Sequence, residues 1–322
     1  MRRALRLAEK GMCHVLPNPM VGAIIVKNGE RISEGFHEKF GGDHAEIVAL
    51  KNCKESTAGA TLYVTLEPCC HQGKTPPCTE AIIKAGIKKV VIASLDPSDK
   101  VNGKGIEKLK EAGIEIEVGL LKEVAEELNE QFYTFHKKKR PFISLKAALS
   151  IDGKISVSKN ERTFLTGERA KKMTEILRSR HQGILVGSGT VMTDDPNLGL
   201  TMIDGKEPLR IILGKKSKIK KDSKIFRDEN FLIIENSSLN ELMNQCYEMG
   251  IISILVEGGH EIFSSFMKEN FVDRCYFYIA AKILGKEALD FTNIESPVSL
   301  KFESVQKLGA DIFISAVKNE HN

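Results

Sequence analysis

Thirteen residues, LEPCCHQGKTPPC (66–78), hold three of the chain's seven cysteines and one of its eight histidines. Soft, ionisable side chains so close together point to a metal or to catalysis. Upstream, HAE (44–46) opens a predicted helix, and EPC (67–69) falls at the end of a predicted strand and before another helix. Whatever is bound there ties a helix start to a strand end, which is a strong demand on the fold.

The surrounding pattern meets that demand. GAIIVK (22–27), TLYVT (61–65), KVVIAS (89–94) and IEIEV (114–118) are short and β-branched and predict strands. HAEIVALKNC (44–53), CTEAIIKAG (78–86) and GKGIEKLKEAG (103–113) carry helical apolar spacing, and the last two reach a glycine where a C-cap falls. Helices covering a central sheet make this an α/β chain. The basic run FHKKKRPF (135–142) marks a domain edge, dividing the chain into 1–139 and 140–322. Its lysines suit the negative end of a helix and ask for no nucleic acid. A second alternation follows: FISLKAALS (142–150), GILVGS (183–188), LRIIL (209–213), FLIIE (231–235) and SILVEGG (253–259). RCYFYIAAKIL (274–284) and LGADIFISAV (308–317) read as further strands.

Composition removes several classes of function. The 47 Lys+Arg against 43 Asp+Glu leave a net charge of +4, and aromatics are 6%, too little to argue for a nucleic-acid partner. No apolar run approaches the roughly 18 residues of a membrane span, and MRRALRLAEKG lacks the apolar stretch of a signal peptide. Seven cysteines scattered over 322 residues make no disulfide framework. The expectation is a reduced, cytoplasmic protein with no membrane partner.

Catalytic zinc takes three protein ligands and keeps a fourth position open, and zinc deaminases add a glutamate that does not touch the metal. His44, Cys69 and Cys78 suffice as ligands, with Glu46 as the proton carrier. Cys78 lies nine positions after Cys69, where the usual deaminase signature has three. Cys70 and His71 are then surplus, and binding by all of them would close the open position. A closed structural zinc site is the alternative. His71 reads either as a loop residue or as a substrate contact. The chemistry is hydrolytic removal of an amino group from an electron-poor ring carbon.

PNPMVGAIIV (17–26), EGFH (34–37), GGDHAE (41–46) and YVTLEPCCHQGKTPPC (63–78) closely resemble the deaminase half of the bifunctional riboflavin-biosynthesis deaminase/reductases. RPFISLKAALSIDGKI (140–155), ILVGSGTVMTDDPNL (184–198) and ILVEGGHEIFSSF (254–266) resemble their reductase half, in the same order. The resemblance implies a cytidine-deaminase-like domain followed by a dihydrofolate-reductase-like α/β domain. It implies deamination of a diaminohydroxy-phosphoribosylamino-pyrimidine on Zn2+, then reduction of the ribosyl chain to ribityl by NADPH, in a homo-oligomer (dimer or tetramer). By the same resemblance Asn18 and His37 line the deaminase pocket. Lys146 and Asp194 lie near the carbon being reduced. Arg162, Arg178 and Glu257 contact substrate, Arg178 at its phosphate. Ala148, Phe164, Thr190, Asp194, Gly258, Gly259, His260 and Glu261 face the cofactor.

Independent of the resemblance, a strand that feeds a helix through Gly258–Gly259 offers backbone N–H groups to a pyrophosphate. Lys146 sits inside an apolar strand, where a lysine is expensive unless paired. Lys215, Lys216 and Lys218, after LRIIL, read either as a solvated turn or as contacts for the extra phosphate of NADPH. Three positions depart from the family: no arginine follows DDPNL until Arg210, Gly214 stands where aspartate is common, and Phe164 replaces tryptophan. Two narrower readings are a deaminase whose C-terminal domain reduces nothing, and a deaminase of nucleic-acid bases.

Overall fold

Two sheets organise the chain, one in each of two units, Met1–Lys139 and Arg140–Asn322. The computed structural model describes residues 1–72, 76–159, 161–235 and 237–319. Residues 73–75 of the HQGKTPPC loop lie outside the described residues.

In the first unit the apolar runs form β1 (Gly22–Lys27), β2 (Glu30–Phe36), β3 (Thr61–Leu66), β4 (Lys89–Ser94) and β5 (Glu115–Val118), ordered β2-β1-β3-β4-β5. β2 and β3 run antiparallel to β1, while β4 and β5 continue parallel. The helices are α1 (Arg2–Ala8), α2 (Ala45–Asn52), α3 (Cys78–Lys84), α4 (Lys104–Glu111), α5 (Lys122–Leu128) and α6 (Glu130–Lys138). Leu62, Val64 and Ile92 of the strands pack on Ala45, Ala49, Ile82 and Leu109 of α2, α3 and α4. The alanines of α2 let its backbone lie close to the sheet, and each large buried side chain contributes about 1.5–3 kcal/mol. Asn129, at the junction of α5 and α6, accepts from Met20 N (2.7 Å) and donates to Met20 O (2.9 Å). Tyr133 of α6 brings its hydroxyl to Ser94 Oγ (2.7 Å) and Leu95 O (2.8 Å).

The second unit contains β6 (Phe142–Ser150), β7 (Lys154–Ser156), β8 (Gly183–Gly187), β9 (Leu209–Leu213), β10 (Phe231–Ile234), β11 (Ser253–Val256), β12 (Arg274–Ala280), β13 (Leu289–Asp290), β14 (Leu300–Leu308) and β15 (Asp311–Lys318). Its eight-stranded sheet is ordered β10-β9-β8-β11-β6-β12-β15-β14, and β13 pairs with β7 apart from it. Pairing is parallel from β10 to β12 and antiparallel between β12, β15 and β14. α7 (Glu168–Ser179), α8 (Ser188–Asp194), α9 (Leu239–Glu248) and α10 (His260–Lys268) complete the unit. Separate cores cover the two faces, one around Leu145, Val256 and Phe266, the other around Leu177, Ile184 and Tyr278. α9 opens with a capping box, Ser238 and Glu241 each satisfying the other's backbone N–H.

Two predicted strands are corrected. The run 274–284 ends at Ala280. The run 308–317 is a hairpin, with Leu308 closing β14, a turn at Gly309–Ala310 and Asp311 opening β15. β2 and β14 escaped the sequence reading because both are edge strands, mostly polar and half exposed.

Candidate functional sites

His44 is the N-cap of α2, held extended at φ −73° and ψ 160°, and Glu46 lies in the first turn of that helix. Cys69 follows β3, and Cys78 is the first residue of α3. The ligand atoms of His44, Cys69 and Cys78 lie within 4.8 Å of one another, with His44 Nδ1 at 3.2 Å from Cys78 Sγ and 3.5 Å from Cys69 Sγ. Zinc at its usual distances from nitrogen and sulfur sets an N···S edge of about 3.5 Å, so the donor set fits that ion. Among the described residues no other His, Cys, Asp or Glu joins the cluster. Cys70 stays outside it, and His71 is exposed on the loop beyond.

The three donors share protons when no ion is bound. The Cys78 thiol and His44 hold the Cys69 thiol well below its ordinary range, while the bonds to Cys69 raise both Cys78 and His44; a metal would have to displace those protons. Glu46 is buried, and burial pushes its carboxyl up to about 7 against the pull of His44. Its proton is therefore exchangeable near neutrality. His37, a buried residue, donates from Nδ1 to Asp43 O (2.9 Å), which leaves Nε2 to accept from Asn18 Nδ2 (3.1 Å). Burial lowers the pKa of His37, consistent with this neutral tautomer. Its ring stands 5.6 Å from that of His44.

In the second unit a cavity of about 860 Å³ opens where the parallel strands end and α8 and α10 begin. It is lined by Lys146, Ala148, Arg162, Phe164, Arg178 and Thr190. Asp194, Glu257, Gly258, Gly259, His260 and Glu261 complete the set expected from the sequence. The first-turn N–H groups of α10 follow Gly258–Gly259 into this cavity, and Thr190 Oγ1 is the nearest atom to a Cβ built on Gly259, at 3.4 Å. That open backbone suits a dinucleotide pyrophosphate. Lys215, Lys216 and Lys218 are exposed and line none of it.

Glu257 is the electrostatic centre of this site. Arg178 grips it through Nε (2.7 Å) and Nη2 (3.0 Å), and Lys146 Nζ stands 3.4 Å away. Burial alone would raise the Glu257 carboxyl, yet Arg178 and Lys146 outweigh it and hold the group down at about 2. Lys146 also lies 5.8 Å from the Tyr278 ring centroid. Burial raises Asp194. Arg162 and Lys171 both approach the exposed Phe164 ring, at 4.6 and 5.6 Å.

The three departures have physical counterparts. Where an arginine is missing after DDPNL, Glu175 accepts from Thr201 N (2.8 Å), Thr201 Oγ1 (2.6 Å) and Met202 N (2.6 Å), while Arg178 donates to Gly199 O (3.0 Å). Gly214 has φ +131°, and a Cβ there would stand 2.3 Å from Ser188 Oγ, so this backbone excludes the aspartate. Phe164 keeps an aromatic face toward the cavity. Sequence reading missed Lys171, Thr174 and Glu175, although with Arg178 they recur at helical spacing along one face of α7.

The first site is thus that of a zinc deaminase, and the second unit is a nucleotide-dependent reductase. Comparison with known proteins makes the assignment particular. Residues 1–94 match the cytidine and deoxycytidylate deaminase zinc-binding region, and residues 141–314 match the RibD C-terminal domain. A riboflavin biosynthesis protein RibD from Aquifex aeolicus is 40% identical over 98% of this chain and 96% of its own. That of Escherichia coli is 33% identical over 98% of both. The solved RibD of Acinetobacter baumannii superposes with a TM-score of 0.94 at 34% identity, covering 99% of this chain and 98% of that one. A Thermotoga maritima deaminase/reductase gives 0.89 at 38%, covering 99% and 97%. The chain belongs to the RibD family: it is a bifunctional enzyme of riboflavin biosynthesis, a zinc-dependent deaminase joined to an NADPH-dependent reductase.

Proposed function

We propose that the first unit deaminates 2,5-diamino-6-(5-phosphoribosylamino)pyrimidin-4-one and the second reduces the ribosyl chain of the product to ribityl. The observation that carries this reading is the three-donor cluster of His44, Cys69 and Cys78 with a buried, unligated Glu46 beside it. Zinc held by those three residues supplies Lewis-acid activation of a water nucleophile near neutral pH. Glu46 takes up a proton from that water on Oε and passes it to the ring nitrogen, then carries a second, from the added hydroxyl, to the leaving amine. Asn18 and His37, fixed in one tautomer, orient the pyrimidine, and His71 contacts it. Burial of Glu46 and His37 excludes water from the proton path.

In the second unit the backbone of Gly258, Gly259 and His260 would hold the pyrophosphate of NADPH, which would supply the hydride. Ala148, Phe164, Thr190 and Glu261 line its path. Lys146, held by Glu257, donates the proton that accompanies the hydride, and Asp194 borders the reacting carbon. Arg162 meets the substrate phosphate, with Arg178 contributing to the extent that its bond to Glu257 allows. Seven free thiols support a reducing compartment, the cytoplasm. The edge strand β14 exposes Phe302 and Val305, which supports association of copies into a homo-oligomer.

Incubating the purified chain with the pyrimidine, with and without NADPH, tests the reading. Ammonia and the ribosylaminouracil are expected without cofactor, and the ribityl compound with it. Failure to release ammonia refutes the first half, and unchanged NADPH in the presence of the deaminated intermediate refutes the second.

A further inference from the structure

Where β3 ends, the chain runs Glu67, Pro68, Cys69. Glu67 is buried, and among the described residues its carboxylate pairs with no cation. It accepts instead from backbone N–H groups. Gly103 N lies 3.0 and 2.9 Å from its two oxygens, Gly105 N 3.0 Å, Ile106 N 3.3 Å and Asp96 N 3.3 Å. Gly103 is the N-cap of α4 and has no side chain with which to cap it. Glu67 therefore supplies from a neighbouring strand the acceptor that the helix lacks, at the positive end of its dipole. The fit is close, because a Cβ on Gly105 would stand 2.2 Å from Pro68 O.

Cys69 is thereby held from two sides. On the α3 side Thr79 N donates to Cys69 O (3.2 Å) and Cys78 N reaches Cys69 Sγ (3.4 Å). On the α4 side the only residue between the sulfur-bearing position and the Glu67 anchor is Pro68, whose ring fixes φ. Loss of the anchor frees the β3 end to shift, and a thiolate displaced by a fraction of an ångström is a poor ligand. We infer that Glu67 is a positioning residue for the metal: it clamps the end of β3 to the start of α4 and so fixes where Cys69 presents its sulfur.

This inference rests on the reading of Cys69 as a zinc ligand, and the experiment separates the two. The full-length parent, Glu67→Gln, Gly105→Ala and Cys69→Ala are titrated with zinc against a chromophoric chelator. Each is also loaded with cobalt for its visible spectrum. Denaturant unfolding followed in the first unit reports that each preparation is folded there, and NADPH oxidation with the deaminated intermediate reports the second unit. Glutamine keeps the shape and one acceptor oxygen but sets an NH2 group against N–H donors. Zinc affinity is expected to fall about 10–100-fold in Glu67→Gln, the range for groups that orient a ligand. The cobalt bands should shift or weaken, and the gain in Tm on adding zinc should shrink, with reductase turnover retained. Gly105→Ala, which presses on the same contact from the helix, should change affinity and spectrum in the same direction. If Glu67→Gln folds, binds zinc as the parent does and gives the parent's cobalt spectrum, the inference is overturned and Glu67 merely caps α4. If Glu67→Gln does not fold, Gly105→Ala decides by the same criteria. Parent-like zinc binding by Cys69→Ala would instead overturn the ligand reading itself.

Discussion

Glu46 and Glu257 are both buried, one in each unit, and their surroundings drive their carboxyls in opposite directions. Glu46, on the first turn of α2, is pushed up to about 7. Glu257, past the end of β11, is held at about 2. Desolvation is the largest influence on both, and it favours the neutral acid in both. What differs is the company: Glu257 lies between Arg178 and Lys146, whereas Glu46 has only His44 and the cluster thiols. The surroundings of Glu46 suit a group that must gain and lose a proton during each turnover. Those of Glu257 suit a fixed negative charge that orders two cations at a cavity wall.

The strongest break between the two units is metal removal. Dialysis against a chelator should abolish ammonia release and leave NADPH oxidation with supplied intermediate intact; parallel loss of both activities would contradict the separation. Glu46→Gln should lower deamination about 10²–10⁴-fold, with zinc still at about one per chain by atomic absorption. Replacing Glu257 tests the opposite role. Glu257→Ala leaves Arg178 and Lys146 unpaired in a buried wall, and a loss of about 3–5 kcal/mol is expected in denaturant unfolding followed in the second unit. Glu46→Gln should be nearly neutral in that measurement.

Acid sharpens the contrast further. Glu257 has a folded value below its ordinary 4.5, so its contribution is complete above that pH and is lost as pH falls toward about 2. His181 is buried between Leu177 O and Ser144 Oγ, and burial lowers its pKa to about 4. Its folded value is also depressed, so its contribution is present above 6.5 and lost as pH falls toward 4. Together they predict that the Tm of the second unit falls below pH 6.5, by the equivalent of about 3–4 kcal/mol near pH 4. His181→Gln should flatten the upper part of that slope. The smallest effect is expected at a surface cap: Ser238→Ala should cost about 1 kcal/mol, read as a small downward shift of the denaturation midpoint.

The sequence is unevenly legible, for physical reasons. Zinc ligands must be particular residue types at helix starts and strand ends, so His44, Cys69 and Cys78 could be located from composition and spacing, and the structure brings them together. The lining of the second unit's cavity was legible mainly through resemblance, because a glycine pair before a helix is also an ordinary turn. The Glu257–Arg178 pair joins residues 79 positions apart, and the Glu67 contacts span 29 to 39. Such partners meet only through sheet order, which no local pattern encodes. Lys146 is an intermediate case: its place in an apolar strand required a partner, but Glu257 could not be named as that partner until β11 was found beside β6.

The two-way bond between Asn129 and Met20 bears on how this enzyme can be taken apart. Recognisable deaminase sequence stops at residue 94, but the segment presenting Asn18 is stitched to a side chain 35 positions beyond that point. Tyr133 buttons the same helix pair onto the tip of β4. A free-standing deaminase excised at the apparent motif boundary would keep His44, Cys69 and Cys78 and lose the brace of the segment that presents Asn18. The excision that preserves catalysis runs through the end of α6.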